Sequence, residues 1–334
     1  MKQLLITGYG KIEENICLQE TEIPTISDRE VLIEIMAAGV NPIDYKIING
    51  VLKRIRKLSF PAPIGYDVSG IVIEKGKLVK DFEIGDEIYS RVPSDNPGTF
   101  AEYIAIESNL IAKKPHNISF EEASSIPLVG LTTVQGFKLA IIKKGDRVLI
   151  HAGSGGIGTF AIQYAKSKGA YVYTTTSTKN VPWVKQLGAD MVIDYTKDNY
   201  LDFVKDIDIV LDTLGANYTK DAFRVIKKGG KVISLIGDLD NKTAKEIGLN
   251  ILIRFLLSIK RMKIDRLKKR KSAFYRFVFV EPNANQLDEI TSLIEGGMIR
   301  PVIDKIFDLN KCLDALLYLK KGHAKGKVVI KMKT

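Results

Sequence analysis

Arg147 to Ala170 reads RVLIHAGSGGIGTFAIQYAKSKGA, and the reading of the fold starts there. Arg147–His151 is a short apolar run of strand length. Ile157, Phe160, Ala161, Tyr164 and Ala165 then recur at helical spacing. Gly153-x-Gly155-x-x-Gly158 lies between the two. In a strand-turn-helix setting each glycine has a physical task. Gly153 permits the tight turn, Gly155 lets backbone approach a pyrophosphate, and Gly158 lets the helix pack on the strand. The helix N-terminus then offers free N–H groups and a partial positive charge to phosphate oxygens.

Downstream, apolar strands continue to alternate with helices. Tyr171–Thr175, Met191–Asp194, Ile207–Asp212 and Lys231–Ile236 read as strands. Such alternation implies parallel strands, because parallel strands need crossovers. Upstream the pattern differs. Glu30–Ala38 alternates polar and apolar residues, Val68–Glu74 and Glu87–Arg91 resemble it, and turns such as Gly85-Asp86 separate them. This predicts a glycine-punctuated β barrel. Ser119-x-x-Glu122 forms a capping-box pattern where the character changes. After Gly297 short strand signals return and run to Gly326-Lys-Val-Val-Ile-Lys. The expected fold class is therefore α/β. A β domain over residues 1–122, completed by 298–334, is interrupted by a dinucleotide-binding parallel sheet over 123–297.

The cofactor's chemistry is read at the end of the second strand. An NAD site places Asp or Glu about 20 residues beyond the first glycine, on the ribose hydroxyls. No acid occurs between Gly153 and Asp190. The strand instead runs out through Thr174-Thr-Thr-Ser177-Thr178-Lys179-Asn180. Hydroxyls and one ammonium suit a 2′-phosphate, so Ser177 and Lys179 point to NADPH.

Composition narrows the classes further. The 334 residues are 45% hydrophobic and 27% charged, as in ordinary globular chains. Two cysteines, Cys17 and Cys312, rule out a disulfide framework and a four-cysteine zinc lobe. The three histidines, His116, His151 and His323, stand singly, and His151 reads as a packed strand-end residue. The opening MKQLLITGYG is too short an apolar stretch for a secretory signal, and no run approaches a membrane span, so a cytoplasmic protein is expected. The charge of +11 has no accompanying nucleic-acid motif.

Taken in order, several short segments resemble the zinc-independent medium-chain dehydrogenase/reductase family, in its quinone oxidoreductase branch. They are Ala37-Ala-Gly-Val-Asn41-Pro42-Ile-Asp44, Pro63-Ile-Gly65-Tyr-Asp67-Val-Ser-Gly70, Gly85-Asp86-Glu87-Ile88 and Gly98-Thr-Phe-Ala-Glu102-Tyr103. The glycine turn, Leu187-Gly188-Ala189-Asp190, Val192-Ile-Asp-Tyr195, Asp212-Thr-Leu-Gly215 and Gly322-His-Ala-Lys-Gly326-Lys327 complete the series. The resemblance implies a GroES-like β domain formed by both chain ends, a Rossmann domain between them, and NADPH in the cleft. Where zinc-dependent relatives carry a Cys and a His-Glu pair, this chain has Asn41 and Tyr66-Asp67. Neither Asn nor Tyr is a good zinc ligand. The resemblance thus implies metal-free hydride transfer to quinones or α,β-unsaturated carbonyls. Asn41-Pro-x-Asp44-x-Lys46 is most similar to alkenal/enone reductases and chloroplast-envelope quinone oxidoreductase-like proteins.

By the same resemblance Lys46 and Asn41 are the expected catalytic residues, with Lys46 beside both nicotinamide ribose and substrate oxygen. Cofactor contacts are implied at Lys46, Thr132, Gly155, Gly156, Ile157, Ser177, Lys179, Tyr195, Leu214, Ile236, Phe279, Val280 and Lys325. A homodimer is implied as well. Enoyl-thioester reductases of the superfamily carry a Gly-x-Tyr where Gly50-Val-Leu52 stands here, which speaks against that activity. The competing class is a non-enzymatic NADPH-binding sensor or structural protein on the same fold.

One segment stands outside this scheme. From Leu252 to Arg276 ten Lys/Arg (254, 260, 261, 263, 266, 268, 269, 270, 271 and 276) face a single acid, Asp265. Ile251, Leu252, Phe255, Leu256 and Ile259 recur at helical spacing just before most of them. Three readings fit: a helix touching an anionic membrane, an electrostatic funnel for NADPH, and a solvated face beside a packing helix.

Overall fold

The computed structural model describes residues 1–53 and 57–332. The chain divides into two compact units, Met1–Leu131 with Glu281–Thr334, and Thr132–Val280.

The first unit begins with β1 (Lys2–Ile6), β2 (Ile16–Glu20), β3 (Glu30–Val40), α1 (Pro42–Ile48) and β4 (Ala62–Pro63). β5 (Asp67–Lys75), β6 (Glu87–Arg91), β7 (Tyr103–Glu107), β8 (Ile111–Lys113) and α2 (Phe120–Ser124) follow, and α3 (Pro127–Ala140) contains the boundary. The second unit runs β9 (Arg147–Ile150), α4 (Gly156–Ser167), β10 (Tyr171–Thr176), α5 (Val181–Gln186), β11 (Met191–Asp194), β12 (Ile207–Asp212) and α6 (Ala216–Val225). It closes with β13 (Ile226–Ser234), α7 (Asn241–Glu246), α8 (Ile251–Lys271) and β14 (Phe274–Phe277). The chain returns to the first unit as α9 (Ala284–Glu295), β15 (Ile303–Asp308), α10 (Cys312–Lys320) and β16 (Lys327–Lys331).

In the first unit a three-stranded sheet, β2-β1-β4, accompanies a seven-stranded one. The larger sheet runs β15-β16-β3-β5-β6-β8, with β7 also on β3. β16 pairs antiparallel with β3, Val328 opposite Val40, so both chain ends build one sheet. β3 pairs with β5, β7 and β16. Its consecutive residues Val31, Leu32 and Ile33 are all buried. Successive side chains point to opposite faces, so this central strand is covered on both, where alternation alone predicted one wet face. Ser119 caps α2 as its spacing predicts: Glu122 N donates to Ser119 Oγ at 3.2 Å, and Ser119 N to Glu122 Oε2 at 2.9 Å.

The second unit holds a six-stranded sheet in the order β11-β10-β9-β12-β13-β14, every pair parallel. Counted from β9 this is 3-2-1-4-5-6, the doubly wound dinucleotide-binding order. The order reverses between β9 and β12, and ligands of such sheets lie outside the carboxyl ends of the strands there.

The unit boundaries fall at 131/132 and 280/281, inside the range 123–297 assigned to the parallel-sheet domain from sequence. Side-chain bonds to backbone explain the shift. Ser69 Oγ donates to Phe120 O at 2.6 Å, and Leu128 N donates to Asp67 Oδ1 at 2.9 Å, tying α2 and the start of α3 to β5. Tyr89 Oη donates to Leu287 O at 2.6 Å and Asn117 Nδ2 to Ile294 O at 3.1 Å, holding α9 in the first unit.

Candidate functional site

The glycine turn of the second unit is shaped by what its missing side chains would strike. A Cβ on Gly158 would sit 2.3 Å from Ala152 O and 2.7 Å from Gly153 Cα. One on Gly153 would sit 2.2 Å from Thr174 Oγ1. Gly155 is different: a Cβ there would meet only Ala152 O, at 3.4 Å. The two outer glycines are thus needed for packing, while the middle one fronts open space, as a cradle for a phosphate requires. Gly155 caps α4 without a side chain, so the N–H groups of Gly156, Ile157 and Gly158 have no intrahelical partner.

A polar line joins this turn to the end of β10. Asn180 Nδ2 donates to Ser154 Oγ at 3.2 Å and to Ser177 Oγ at 3.1 Å. Ser177 is half-buried and Lys179 exposed. Sequence reasoning missed Asp194, at the carboxyl end of β11. It accepts from Thr178 Oγ1 at 2.5 Å and from Thr196 Oγ1 at 2.7 Å. The Thr178 hydroxyl first, and Thr196 after it, holds this carboxyl below the usual carboxylate range.

Beyond the turn, exposed apolar side chains stand just past the carboxyl ends of β11, β12, β13 and β14. They are Tyr195, Leu214, Ile236 and Phe279, each 39–57% exposed. Two buried aspartates brace this row. Asp212 Oδ1 accepts from Leu214 N and Gly215 N, while its Oδ2 accepts from Thr219 Oγ1 and Ser234 Oγ. Asp240 Oδ2 accepts from Phe277 N at 2.8 Å and Thr243 Oγ1 at 2.7 Å, fixing the end of β14. Val280 is half-buried, and Thr132 is buried in α3. His151 packs edge-on against the stacked pair Tyr200 and Tyr218, at centroid distances of 4.9 and 5.1 Å. Burial pushes its imidazole down to about 4.

The first unit carries Asn41, Lys46 and Lys325. Asn41 is buried at the N-cap of α1, and its amide is fully engaged. Nδ2 donates to Asp67 Oδ2 at 2.9 Å and to Gly39 O at 3.3 Å, and Oδ1 accepts from Lys327 Nζ. Lys327 Nζ also reaches Asp67 Oδ2 and Val40 O, at 3.3 and 3.2 Å. Asn41 N donates to Asp44 Oδ2 at 2.7 Å. These bonds commit the amide to fixing the start of α1. Lys46 is half-buried on that helix. Lys325 is exposed in the loop before β16, while Lys327, two residues on, is the buried cation. Its signal was present in the closing Gly326-Lys327, but nothing local in sequence separates a buried lysine from a solvated one.

Burial pushes the Asp44 carboxyl up to about 8. It pushes Asp67 up as well, opposed there by the Lys327 ammonium. Lys327 Nζ pairs with Asp67 Oδ2 at 3.3 Å, and the Arg91 guanidinium also acts on that carboxyl, so Asp67 rather than Asp44 is the one placed to share charge. Lys327 Nζ is already bonded to Asn41 and Asp67, two of the residues that by the resemblance stand where zinc-dependent relatives carry ligands. This donor set suits an ammonium and does not fit Zn²⁺, which takes thiolate, imidazole and carboxylate. Among the described residues no cluster of three His, Cys, Asp or Glu is arranged to hold a metal.

Comparison with known proteins matches both units. Residues 27–116 match the alcohol dehydrogenase GroES-like domain, and residues 187–330 match a family described as zinc-binding dehydrogenase. The chain is 35% identical over 340 residues to 2-methylene-furan-3-one reductase of Solanum lycopersicum, covering 99% of this chain and 79% of that one. It is 34% identical over 345 residues, with the same coverage, to the chloroplastic NADPH-dependent alkenal/one oxidoreductase of Arabidopsis thaliana. Among solved structures, the quinone oxidoreductase from Coxiella burnetii superposes with a TM-score of 0.86 at 32% identity, over 100% of this chain and 99% of that one. With the 3-2-1-4-5-6 sheet, the glycine cradle and relatives of this identity along its whole length, the chain belongs to the medium-chain dehydrogenase/reductase superfamily.

Proposed function

We propose that this chain is a zinc-independent, NADPH-dependent oxidoreductase that delivers hydride to quinones or α,β-unsaturated carbonyls. One observation carries the reading most. The open cradle at Gly155 continues into an apolar row at the carboxyl ends of the strands, and the end of β10 offers Ser177 and Lys179 in place of an acid. NADPH supplies the hydride when bound. The N–H groups of Gly156 and Ile157 hold its pyrophosphate. Ser177 and Lys179 hold the 2′-phosphate, and Tyr195 covers the adenosine side. Leu214, Ile236, Phe279, Val280 and Thr132 form an apolar seat that excludes water, and Lys325 adds a cation toward the cofactor. As hydride adds to the acceptor carbon, negative charge moves to the carbonyl oxygen. Lys46 is the donor for that oxygen and relays the proton that completes reduction. Asn41 acts one step back, by holding α1.

The protein works in the cytoplasm as a homodimer. β14 supports the dimer: among the described residues it is one of the two open edges of the six-stranded sheet, paired only with β13.

NADPH consumption by the purified chain with a small enone and a naphthoquinone tests the reading. Turnover that a chelator leaves intact is expected. Lys46→Ala is expected to lower kcat on the enone about 10²-fold. Absence of turnover with both acceptors would overturn the enzymatic assignment and favour an NADPH sensor.

A further inference from the structure

α8 is a 21-residue helix, and only part of it lies on the sheet. Lys271 Nζ donates to Ile226 O, at the start of β13, at 2.8 Å. Arg261 Nη1 donates to Leu239 O, past the end of β13, at 2.6 Å. The stretch 261–271 therefore spans the length of the strand. The stretch 251–260 continues beyond the carboxyl edge by about 15 Å at 1.5 Å per residue. One side of it is tied down, where Arg254 Nε donates to Asn241 Oδ1 at 3.1 Å.

The other side is bare. Ile251, Leu252, Phe255, Leu256, Ile259 and Met262 are 46–81% exposed. Steps of three and four residues carry the same face on from Met262 through Lys263, Arg266, Lys269 and Arg270. The helix thus presents one continuous stripe, apolar over its first three turns and cationic over its last two. The acid on the helix, Asp265, is engaged by Arg261 at 3.1 Å. Lys263, Arg266, Lys268, Lys269 and Arg270 have no acidic partner among the described residues.

We propose that this stripe docks the protein on an anionic lipid surface, the apolar end entering the acyl boundary and the cationic end resting on phosphates. The lengthwise separation selects this occupant. Two copies packed along the full stripe would oppose cation to cation when parallel, or bury ammonium groups on Leu and Phe when antiparallel. A bilayer surface supplies apolar and anionic layers side by side. Docking here would bring the carboxyl edge of the second unit's sheet, with its candidate cofactor residues, toward lipid-dissolved acceptors. The surface itself does not depend on the reductase reading.

Co-sedimentation of the full chain with phosphatidylcholine vesicles, with and without phosphatidylserine, tests the proposal. Binding at least about tenfold stronger to the phosphatidylserine vesicles, and lost in high salt, is expected. Phe255→Ser/Leu256→Ser and Lys269→Glu/Arg270→Glu should each lower that binding about tenfold, with turnover of a water-soluble enone unchanged. Equal binding to both vesicle types, or none, would overturn it. So would a Phe255→Ser/Leu256→Ser protein that loses its dimer yet binds vesicles like the wild type, because the stripe would then belong to a second copy.

Discussion

The glycine turn of the second unit and the Asn41–Lys327 cluster of the first both rest on buried polar groups, yet they are assembled in opposite ways. The turn is local. Its steric rules operate within Ala152, Gly153, Gly158 and Thr174, and its polar line runs only from Ser154 to Asn180. The cluster draws on three distant segments: Asn41 meets Asp67 across 26 residues and Lys327 across 286. A local device tolerates little change at its glycines but needs no distant partner. A dispersed one fails when any single partner leaves, because a buried charge is stranded.

The sharpest way to break that contrast is Lys327→Met. Removing one partner of a buried ion pair typically costs about 3–5 kcal/mol, since the remaining carboxylate is uncompensated. Denaturant unfolding should show a loss of that size. Lys327→Met/Asp67→Asn should recover much of it. If the single variant is as stable as wild type, the ammonium is not holding Asp67 charged.

Gly158→Ala is the counterpart in the second unit. Its added methyl would meet backbone on two sides, Ala152 O and Gly153 Cα, and backbone moves less readily than a side chain. Overpacking of this kind costs about 1–3 kcal/mol, and the shifted turn should weaken NADPH binding at least about tenfold by titration. Gly155→Ala, with a single backbone atom at 3.4 Å, should leave stability nearly unchanged while still weakening NADPH binding. Equal destabilisation by both would end the division of labour between the glycines.

Lys179→Ala separates phosphate recognition from the rest of the turn. The exposed ammonium should contribute about tenfold to NADPH affinity and little to NADH affinity, because only NADPH carries the 2′-phosphate. Equal losses for both would remove Lys179 from the site.

The same contrast explains what the sequence revealed. The parallel sheet, the glycine turn and the capping box at Ser119 are set by neighbours within a few residues, so pattern and spacing expose them. Asn41 was read as catalytic because it stands where a ligand stands in relatives. The bonds that make it a brace come from Asp67 and Lys327, which no spacing rule connects to it. Asp240 went unnoticed for the same reason: its partner Phe277 N lies 37 residues away. The apolar face on α8 was legible as periodicity. Its exposure was not, because periodicity does not tell whether a stripe is covered.

Protons add a slope of at most about 1.4 kcal/mol per pH unit for each group, and here the two units should differ in sign. Asp44 sits near 3.8 unfolded and about 8 folded, so between these values the folded state holds the extra proton. Its contribution to stability is complete at low pH and falls as pH rises toward 8. His151 sits near 6.5 unfolded and about 4 folded, so between these values the unfolded state holds the extra proton. Its contribution is present above 6.5 and is lost as pH falls toward 4. From pH 4 to 6.5 these two slopes oppose each other, and above 6.5 only the Asp44 slope of the two remains. Asp44→Asn, a neutral isostere, should leave a stability that rises from pH 4 to 6.5 and then levels. His151→Phe keeps a ring against Tyr200 and Tyr218; it removes the Nδ1 contact to Thr175 Oγ1 at 3.3 Å and an Nε2 that has no partner among the described residues. That variant should show a stability that falls across the whole range from 4 to 8. Denaturant midpoints at several pH values measure both curves. Parallel curves for wild type and Asp44→Asn would mean that Asp44 is already ionised in the folded state, and that the cluster holds two carboxylates against one ammonium.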